Sequence, residues 1–398
     1  HRLISAVQSN EKVTIKDNTN TVGVRNVIDD ALSLPIFVQT LLGHQVLDPK
    51  WSWRNKILPH FLAMSLSVYV IFGTVDFIQH TNEVTLKTEG CYTLFLTCTI
   101  PVKYFLYAHY RGTFRNVYVI AKTVLYDMIK EDSEVQSKNV LKKINTFVNI
   151  LFGSLLFPVL IYLANALWNY VLGNRITMSK TTSILMPMTS PFHEIGLALH
   201  TIFMLELGFT SLVVDMWFVF LVFFFCVASD SLVNMLKIES RSRVETEAEY
   251  AERLNKTLRK FYNEHRQLME YLNTLNEMYK WPTVIPLLNN FTAVCVFLFS
   301  LSEWKFVSNM LPAFVECFAY NWFGDQIKAK AMLLNMAILD LDWTSMRLSD
   351  RKSYLIIVCY MNKEFCIKTA LGNDLSLFTM SVCKAGYQAL TVLRSMDN

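Results

Sequence analysis

One stretch of the chain carries no formal charge over 14 residues, from Met216 to Ser229, and six of those residues are aromatic. Glu206 and Asp215 lie just upstream in an otherwise apolar run. Charged residues make up 18% of the chain and hydrophobic residues 53%, whereas soluble domains hold about a quarter charged residues. Long apolar blocks alternate with basic, amphipathic segments, so the sequence predicts a protein of the lipid bilayer.

Seven apolar segments are long enough to cross a bilayer as helices, which takes about 20 residues. Only helices and closed barrels satisfy their backbone in lipid, and these segments are too long and unbroken for barrel strands. They are 57–78, 91–110, 146–172, 197–229, 281–302, 306–323 and 374–393. The second, sixth and seventh carry Lys103, Glu316 and Lys384, whose charges are costly against lipid. We expect these three to stand inside a bundle and to line something polar.

Lysine and arginine positions predict the orientation. Of the 37 basic residues, 29 fall in segments 1–56, 111–145, 230–275 and 328–373, and positively charged loops stay in the cytoplasm. The sequence therefore predicts an all-α membrane protein with seven transmembrane helices, a cytoplasmic N-terminus and an extracellular C-terminus.

This orientation disfavours a seven-helix G-protein-coupled receptor. Transporters usually show inverted repeats or helices broken at the midplane, and the sequence has no internal repeat.

The sequence offers little for enzymatic chemistry. The histidines, such as His60, His200 and His265, are isolated, and the eight cysteines are spread singly, so we predict neither a metal site nor a cofactor. The sequence contains no Gly-rich phosphate loop, nucleophile elbow or zinc-ligand cluster. A membrane hydrolase is the enzyme-class alternative, and its residues are missing. We therefore predict that the protein is not an enzyme.

Three apolar seams at heptad spacing lie outside the predicted spans. They are Leu254, Leu258, Phe261, His265, Leu268, Leu272 and Leu275; Phe114, Tyr118, Ala121, Leu125 and Met128; and Met332, Met336, Leu339, Trp343 and Met346. We expect the fourth and fifth spans to continue into the cytosol as long helices that pack with an extra helix at 326–347. Trp343 would then face the long helix through Leu268 and Leu272. The alternative is a set of solvated linker helices.

A resemblance to one family appears near the C-terminus. The stretch "GDQIKAKAMLLNMAILDLDWTSM" at 324–346 resembles the signature of insect odorant receptors, a Gly followed by a helix with Ala-x-Tyr-x-x-x-Trp-Tyr near its end. Gly324, Ala337 and Trp343 match, whereas Leu339 and Thr344 stand where the family has Tyr. The stretches "EHRQLMEYLNTLNEMYKWPTVIPLLNN" and "LSLFTMSVCKAGYQALTVLRS" are similar to the family's approach to the fifth span and to its last helix. Gustatory receptors of the same superfamily are the nearest alternative, but their C-terminal Thr-Tyr motif is absent.

The resemblance implies a tetrameric, ligand-gated, non-selective channel for monovalent and divalent cations, located in the plasma membrane of a sensory dendrite. The family's co-receptor has a long insertion between the fourth and fifth spans, and segment 230–280 is too short for it. The resemblance thus implies an odour-tuned subunit that works in a heterotetramer with the olfactory co-receptor. Four regions follow from it. They are a cytoplasmic N-terminal region (1–56), helices one to six with cytoplasmic extensions at 111–145 and 230–280 (57–325), a cytoplasmic anchor helix and loop (326–373), and a pore-lining seventh helix with an extracellular end (374–398).

The family's odorant pocket lies in the outer half of the bundle, and the resemblance places it here by depth. A pocket for a small volatile ligand should be apolar with few polar groups. The implied lining is Leu94, Phe95, Cys98, Tyr162, Asn165, Ala166, His200, Phe203, Met204, Leu207, Met310, Phe314 and Phe318, with a further contribution from Val296, Phe297 or Phe299. Tyr162, Asn165 and His200 could donate to an ester, ketone or alcohol oxygen, and we predict a terpenoid or ester ligand. Helix packing is the alternative role for each single residue.

Lys384, Gln388, Thr391 and Arg394 repeat at helical spacing and form one polar stripe on the seventh helix. If this stripe faces the pore, four copies would place rings of positive charge on a cation path. Like charges ~8 Å apart repel by ~2 kcal/mol at an effective dielectric near 20, so we expect the chain to conduct poorly alone. Alternatively, Lys384 faces a neighbouring helix.

The two upstream acids have different expected roles. Asp215 is expected to form a helix-internal or interhelical hydrogen bond, for instance with Lys103 or Asn165. Glu206 either forms such a bond or lies at the polar rim of the pocket.

Overall fold

The computed structural model describes residues 33–41, 57–125, 127, 128, 134–176, 187–237, 245–299, 304–361, 365–377 and 388. Their regular structure is helical, apart from one isolated bridge between Lys368 and Asp374. The α-helices are α1 (Ser33–Leu41), α2 (Ile57–His80), α3 (Val84–His109), α4 (Arg111–Ile120), α5 (Glu134–Val171), α6 (Phe192–Leu236), α7 (Glu247–Tyr279), α8 (Val284–Phe299), α9 (Trp304–Leu339) and α10 (Leu348–Met361). A π-helical turn, Ala121–Leu125, follows α4, and a 3₁₀ turn, Trp343–Ser345, precedes α10.

The first six predicted spans coincide with α2, α3, α5, α6, α8 and α9. In the part of the chain that the structure describes, two helical segments, Lys142–Val171 and Phe192–Leu236, are long and apolar enough to cross a membrane by length and composition. The seventh predicted span, 374–393, lies outside the described residues except for 374–377 and Gln388. An all-helical fold is therefore confirmed, and the number of spans stays a prediction.

Helix α6 forms the centre of the bundle. It packs against α3, α5, α7 and α9, and its uncharged stretch is buried on nearly every side. Trp217 meets Phe114 edge to face at 5.0 Å between ring centroids, and Phe218 stacks on Tyr320 at 4.2 Å. A helix that is apolar all round needs partners all round, so this stretch contacts protein far more than lipid.

The first two apolar seams pack as predicted. All seven residues of the seam on α7 are at most 2% exposed, and Phe114, Ala121, Leu125 and Met128 of the second seam are also buried. Helix α7 starts at a capping box in which Thr246 and Glu249 bind each other's backbone N–H groups. Two tyrosine hydroxyls of α7 donate to backbone carbonyls of α6, Tyr271 to Leu221 at 2.8 Å and Tyr279 to Val214 at 3.3 Å.

The sequence predicts that the fifth span and α7 form one continuous helix, and the structure differs. A turn at 280–283, which contains Pro282, separates α7 from α8. A proline removes a backbone donor and clashes with the preceding turn of a helix, so the break follows from the sequence. The fourth span does extend as expected, because α6 continues to Leu236.

The third seam is placed differently from the prediction. Instead of a separate helix at 326–347, α9 runs unbroken from the sixth span to Leu339. Met332, Met336, Leu339 and Trp343 are 66%, 52%, 54% and 43% exposed. Leu268 and Leu272, by contrast, are 0% and 2% exposed and belong to the core of the subunit. The 3₁₀ turn that contains Trp343 does contact α7, and the Trp343 ring stacks on Tyr354 of α10. A contact of Trp343 with Leu268 and Leu272 stays a prediction. Leu334, Ile338 and Leu341 form the buried face of this region instead.

Helix α9 also holds the segment that leads toward the predicted seventh helix. The backbone N–H of Ser376 donates to Asn321 at 3.2 Å, and that of Leu377 donates to Asp325 at 2.9 Å. Lys328 binds Asp374 at 2.8 Å. At Gly324 an added Cβ would lie 2.2 Å from the Leu375 carbonyl oxygen, so only glycine allows this close approach.

Candidate functional site

A cavity of about 160 Å³ lies between α2, α3, α5, α6, α8 and α9. Its apolar lining is Val70, Leu96, Ile100, Pro158, Val159, Phe203, Met204, Leu207, Gly208, Pro312 and Ala313. Its polar lining is Glu89, Tyr92, Thr93, Thr97, Tyr162, His200, Ser211, Asn289 and Glu316. An apolar cavity of about this size holds a ligand as large as benzene, so the space suits a small organic molecule.

Five of the residues predicted for a pocket line this cavity. They are Tyr162, His200, Phe203, Met204 and Leu207. On α3 the lining positions are 89, 92, 93, 96, 97 and 100, which form one helix face at three- and four-residue spacing. Leu94, Phe95 and Cys98 lie off that face. The predicted face of α3 is thus rotated from the one that meets the cavity.

The other predicted residues lie elsewhere. Ala166 is buried against Tyr162 and the neighbouring Leu197, and Asn165 lies beside it, outside the lining. Phe314 and Phe318 stack on each other at 6.5 Å on an exposed face of α9. The side chains of Met310, Val296, Phe297 and Phe299 fall outside the described residues.

Sequence reasoning missed several polar lining residues. Glu89, Tyr92, Thr97 and Asn289 are not among the predicted pocket residues, and for Glu316 the sequence predicts only a place inside the bundle. A signal for them existed, because polar and charged residues in a span face the interior of the bundle rather than lipid. The polar positions of α3 therefore mark the inward face better than its large apolar residues do.

A buried ion cluster adjoins the cavity. The Nζ atom of Lys103 lies 2.5 Å from Asp215 Oδ1 and 2.5 Å from Glu316 Oε1, and the three side chains are 0%, 5% and 12% exposed. Lys103 also donates to Ser211 Oγ at 3.1 Å, and the Tyr320 hydroxyl donates to Asp215 Oδ1 at 2.7 Å. Buried charges must be paired and hydrogen-bonded. Of the two kinds of bond expected of Asp215, the structure shows the interhelical one, with Lys103.

The cluster joins three helices, α3 through Lys103, α6 through Asp215 and α9 through Glu316. Glu316 and Ser211 also line the cavity, so the cavity and the cluster share one wall. Glu206 is half-buried and lies outside the lining. Ionised in full, the cluster holds two carboxylates and one ammonium.

The sequence model of the 7tm odorant receptor family matches residues 83–387. The chain belongs to this family. The receptor shares its fold with olfactory receptor OR5 from Machilis hrabei, alone and in complex with eugenol. For each of these two structures the TM-score is 0.73 at 12% identity, over 93% of this chain and 100% of OR5. No curated protein matches the receptor in sequence.

Family membership identifies an insect odorant receptor, a transmembrane protein from a family of ligand-gated channels rather than enzymes. In the described part of this receptor, no group of three or more His, Cys, Asp or Glu side chains could hold a metal ion. Of the predicted pore stripe, Gln388 is helical and exposed, while Lys384, Thr391 and Arg394 lie outside the described residues.

Proposed function

We propose that this receptor is the odour-tuned subunit of a ligand-gated, non-selective cation channel that works in a heterotetramer with the olfactory co-receptor. The observation that carries the proposal is the cavity between six helices, whose lining combines apolar side chains with converging polar ones. A cavity of this character is typical of sites for small organic ligands. The short segment 230–280 favours the odour-tuned subunit over the co-receptor.

The ligand in this proposal is a small, mostly apolar odorant of the terpenoid or ester class. Phe203, Met204 and Leu207 supply apolar surface from α6. Tyr162 of α5 and His200 of α6 add polar atoms to the lining. OR5 binds eugenol, a fact about that receptor that supports the general size and character of the ligand here.

Assembly with other subunits is supported by an apolar surface on the chain. We define the anchor surface as Met332, Met336, Leu339, Trp343, Leu348, Leu355 and Ile356, each between 43% and 74% exposed. A contiguous exposed apolar patch usually marks an interaction site. In the proposed tetramer, neighbouring subunits cover this surface. Leu268 and Leu272, also predicted for the anchor, are buried in the core of the subunit.

The proposed topology has seven spans, with the N-terminus in the cytoplasm of a cell whose plasma membrane holds the channel. The seventh helix would line a shared pore for monovalent and divalent cations through Lys384, Gln388, Thr391 and Arg394. Rings of four lysines and four arginines would raise the barrier to cations. This charge favours a mixed channel in which the present chain is the minority subunit.

Ligand-evoked current in cells tests the proposal. We expect current when the receptor is expressed with the co-receptor and little when it is expressed alone. Tyr162→Ala should shift the dose response, because Tyr162 lines the cavity. Phe314→Ala is the matched control, since Phe314 is 51% exposed on another face of α9. Robust current from this chain alone would refute the mixed channel, and unchanged sensitivity of Tyr162→Ala would refute the cavity as the odorant site.

A further inference from the structure

Glu316 presents a carboxylate oxygen to the cavity. Its Oε1 atom accepts from Lys103 at 2.5 Å, and its side chain is 12% exposed. Within the described part of the chain, Oε2 has no hydrogen-bond partner, although Glu316 lines the cavity. Oε2 is not fully enclosed by protein, so it can accept a hydrogen bond from a ligand in the cavity.

Tyr92 offers the complementary group. It lines the same cavity on α3 and is 5% exposed. Its hydroxyl has no hydrogen-bond partner in the described ranges, and it interacts electrostatically with both Tyr162 and Glu316. Because buried tyrosines usually find a partner for the hydroxyl, the cavity holds one open acceptor and one open donor.

The charge of the cavity favours a ligand that donates. Two carboxylates, Glu89 and Glu316, belong to the lining, and a third, Asp215, shares Lys103 with Glu316. Lys103 is the cation of this cluster. These four described side chains therefore comprise three carboxylates and one ammonium group. In a low-dielectric interior such an excess repels the lone pairs of an ester, ketone or ether oxygen.

We propose that Glu316 and Tyr92 form a polar anchor that selects odorants carrying a hydroxyl group. The ligand hydroxyl donates its proton to Glu316 Oε2, and its oxygen accepts from the Tyr92 hydroxyl. The remaining carbon skeleton packs on the apolar lining of α5 and α6. This inference rests on the proposed function. It specifies the ligand as an alcohol, with a terpenoid or an aliphatic skeleton, rather than an ester.

The size of the preference follows from the anchor. A hydrogen bond to a charged group raises the affinity for a ligand by about tenfold to hundredfold. A site built to bind a hydroxyl also rejects an analogue without it, because its buried polar atoms are then unpaired. An alcohol should therefore act at a concentration about tenfold or more below that of its methyl ether.

The test uses alcohols and their methyl ethers and acetates on matched skeletons, from 1-hexanol to 1-decanol together with linalool and geraniol. Currents are recorded from the receptor expressed with the co-receptor. Glu316→Gln and Tyr92→Phe should each reduce the alcohol-to-ether ratio of half-maximal concentrations to within about threefold. Glu206→Gln is the matched control, because this half-buried carboxylate of α6 lies outside the lining, and it should keep the ratio.

Tyr92→Phe leaves the Lys103 cluster intact, so it tests the anchor even if Glu316→Gln does not reach the cell surface. Equal potency of alcohols and ethers on the unmodified receptor would overturn the inference, as would activation by ethers or acetates without activation by any alcohol. An unchanged ratio in a Tyr92→Phe receptor at normal surface level would also overturn it. Silence toward every odorant of a broad panel would instead contradict the proposed function.

Discussion

The Lys103 cluster leads to a prediction about stability. Lys103→Met keeps the length and most of the volume of the side chain but removes the ammonium. Asp215 and Glu316 would then lie close together, 5% and 12% exposed, without the cation that now contacts both at 2.5 Å. The Tyr320 hydroxyl would be the remaining donor to Asp215.

The magnitude follows from the two ion pairs. At an effective dielectric near 20, charges about 4 Å apart attract by ~4 kcal/mol per pair, and the desolvation of three charges offsets most of that gain. Removing only the cation leaves the desolvation cost without the attraction, and breaking a buried pair in this way costs ~3–5 kcal/mol. Proton uptake by the carboxylates limits the loss to that range.

The assay is the thermal midpoint of the purified receptor in detergent, followed by the monodisperse fraction after heating. A loss of ~3–5 kcal/mol corresponds to a fall of roughly 6–10 °C, taking roughly 2 °C per kcal/mol for a long chain. The triple variant Lys103→Met, Asp215→Asn and Glu316→Gln should recover most of the midpoint, because neutral groups of the same shape cost little to bury. Lys87→Met, a partly exposed position on the same helix, is the control. An unchanged midpoint for Lys103→Met, or a triple variant no better than the single one, would refute the reasoning.

Three further predictions concern the regions outside the cavity. Burial lowers the pKa of His265 from 6.5 to about 4, so the unfolded chain binds a proton that the folded chain does not. The free energy of unfolding should fall by at most ~3 kcal/mol as pH drops from 6.5 to 4. The melting midpoint of the His265→Gln variant should not show this dependence on pH. If the variant's midpoint falls as steeply as that of the unmodified receptor, His265 is not the source. Gly324→Ala should cost ~2 kcal/mol or more, because the added Cβ meets the Leu375 carbonyl oxygen at 2.2 Å. Gly153→Ala, where nothing lies within 4 Å, should not destabilise the receptor, and equal melts for both variants would contradict the clash. Trp343→Ala should lower tetramer yield in gel filtration more than it lowers the melting midpoint, since this side chain is 43% exposed in the chain; normal tetramer yield would remove it from the interface.

The helices could be predicted from the sequence because length and apolar content decide where a chain can form a buried helix. Heptad spacing also located two packed seams, those on α7 and on α4 with its π-helical turn. The same argument failed for Met332, Met336 and Leu339, because apolar spacing identifies a face without identifying what covers it. In a single chain this face is open, so the pattern could not distinguish contact within the subunit from contact between subunits.

The cavity was harder to predict than the fold. Helix α3 is apolar on most sides, and each residue rotates the direction of the side chain by about 100°. Without a strongly amphipathic pattern, large residues such as Phe95 attract attention although they lie off the cavity. Tyr92 and Thr97 were better guides, because a polar atom in a span needs a partner inside the bundle. The pairing of Lys103 with Glu316 joins positions 213 residues apart, and no local pattern in the sequence contains that contact.

The cavity and the segment before the predicted seventh helix share one helix, α9. Glu316 lies five residues before Asn321, which is about 7.5 Å along an α-helix. Asn321 and Asp325 accept hydrogen bonds from the backbone of Ser376 and Leu377. A ligand that binds Glu316 therefore acts on α9 about 1.4 turns from the bond at Asn321 and about 2.5 turns from the bond at Asp325. These two bonds hold the chain that leads to the predicted seventh helix. This geometry motivates the hypothesis that α9 transmits ligand binding to the channel. A double-mutant cycle of Glu316→Gln and Asn321→Ala on maximal current measures that coupling, and strictly additive effects would show that the two sites act independently.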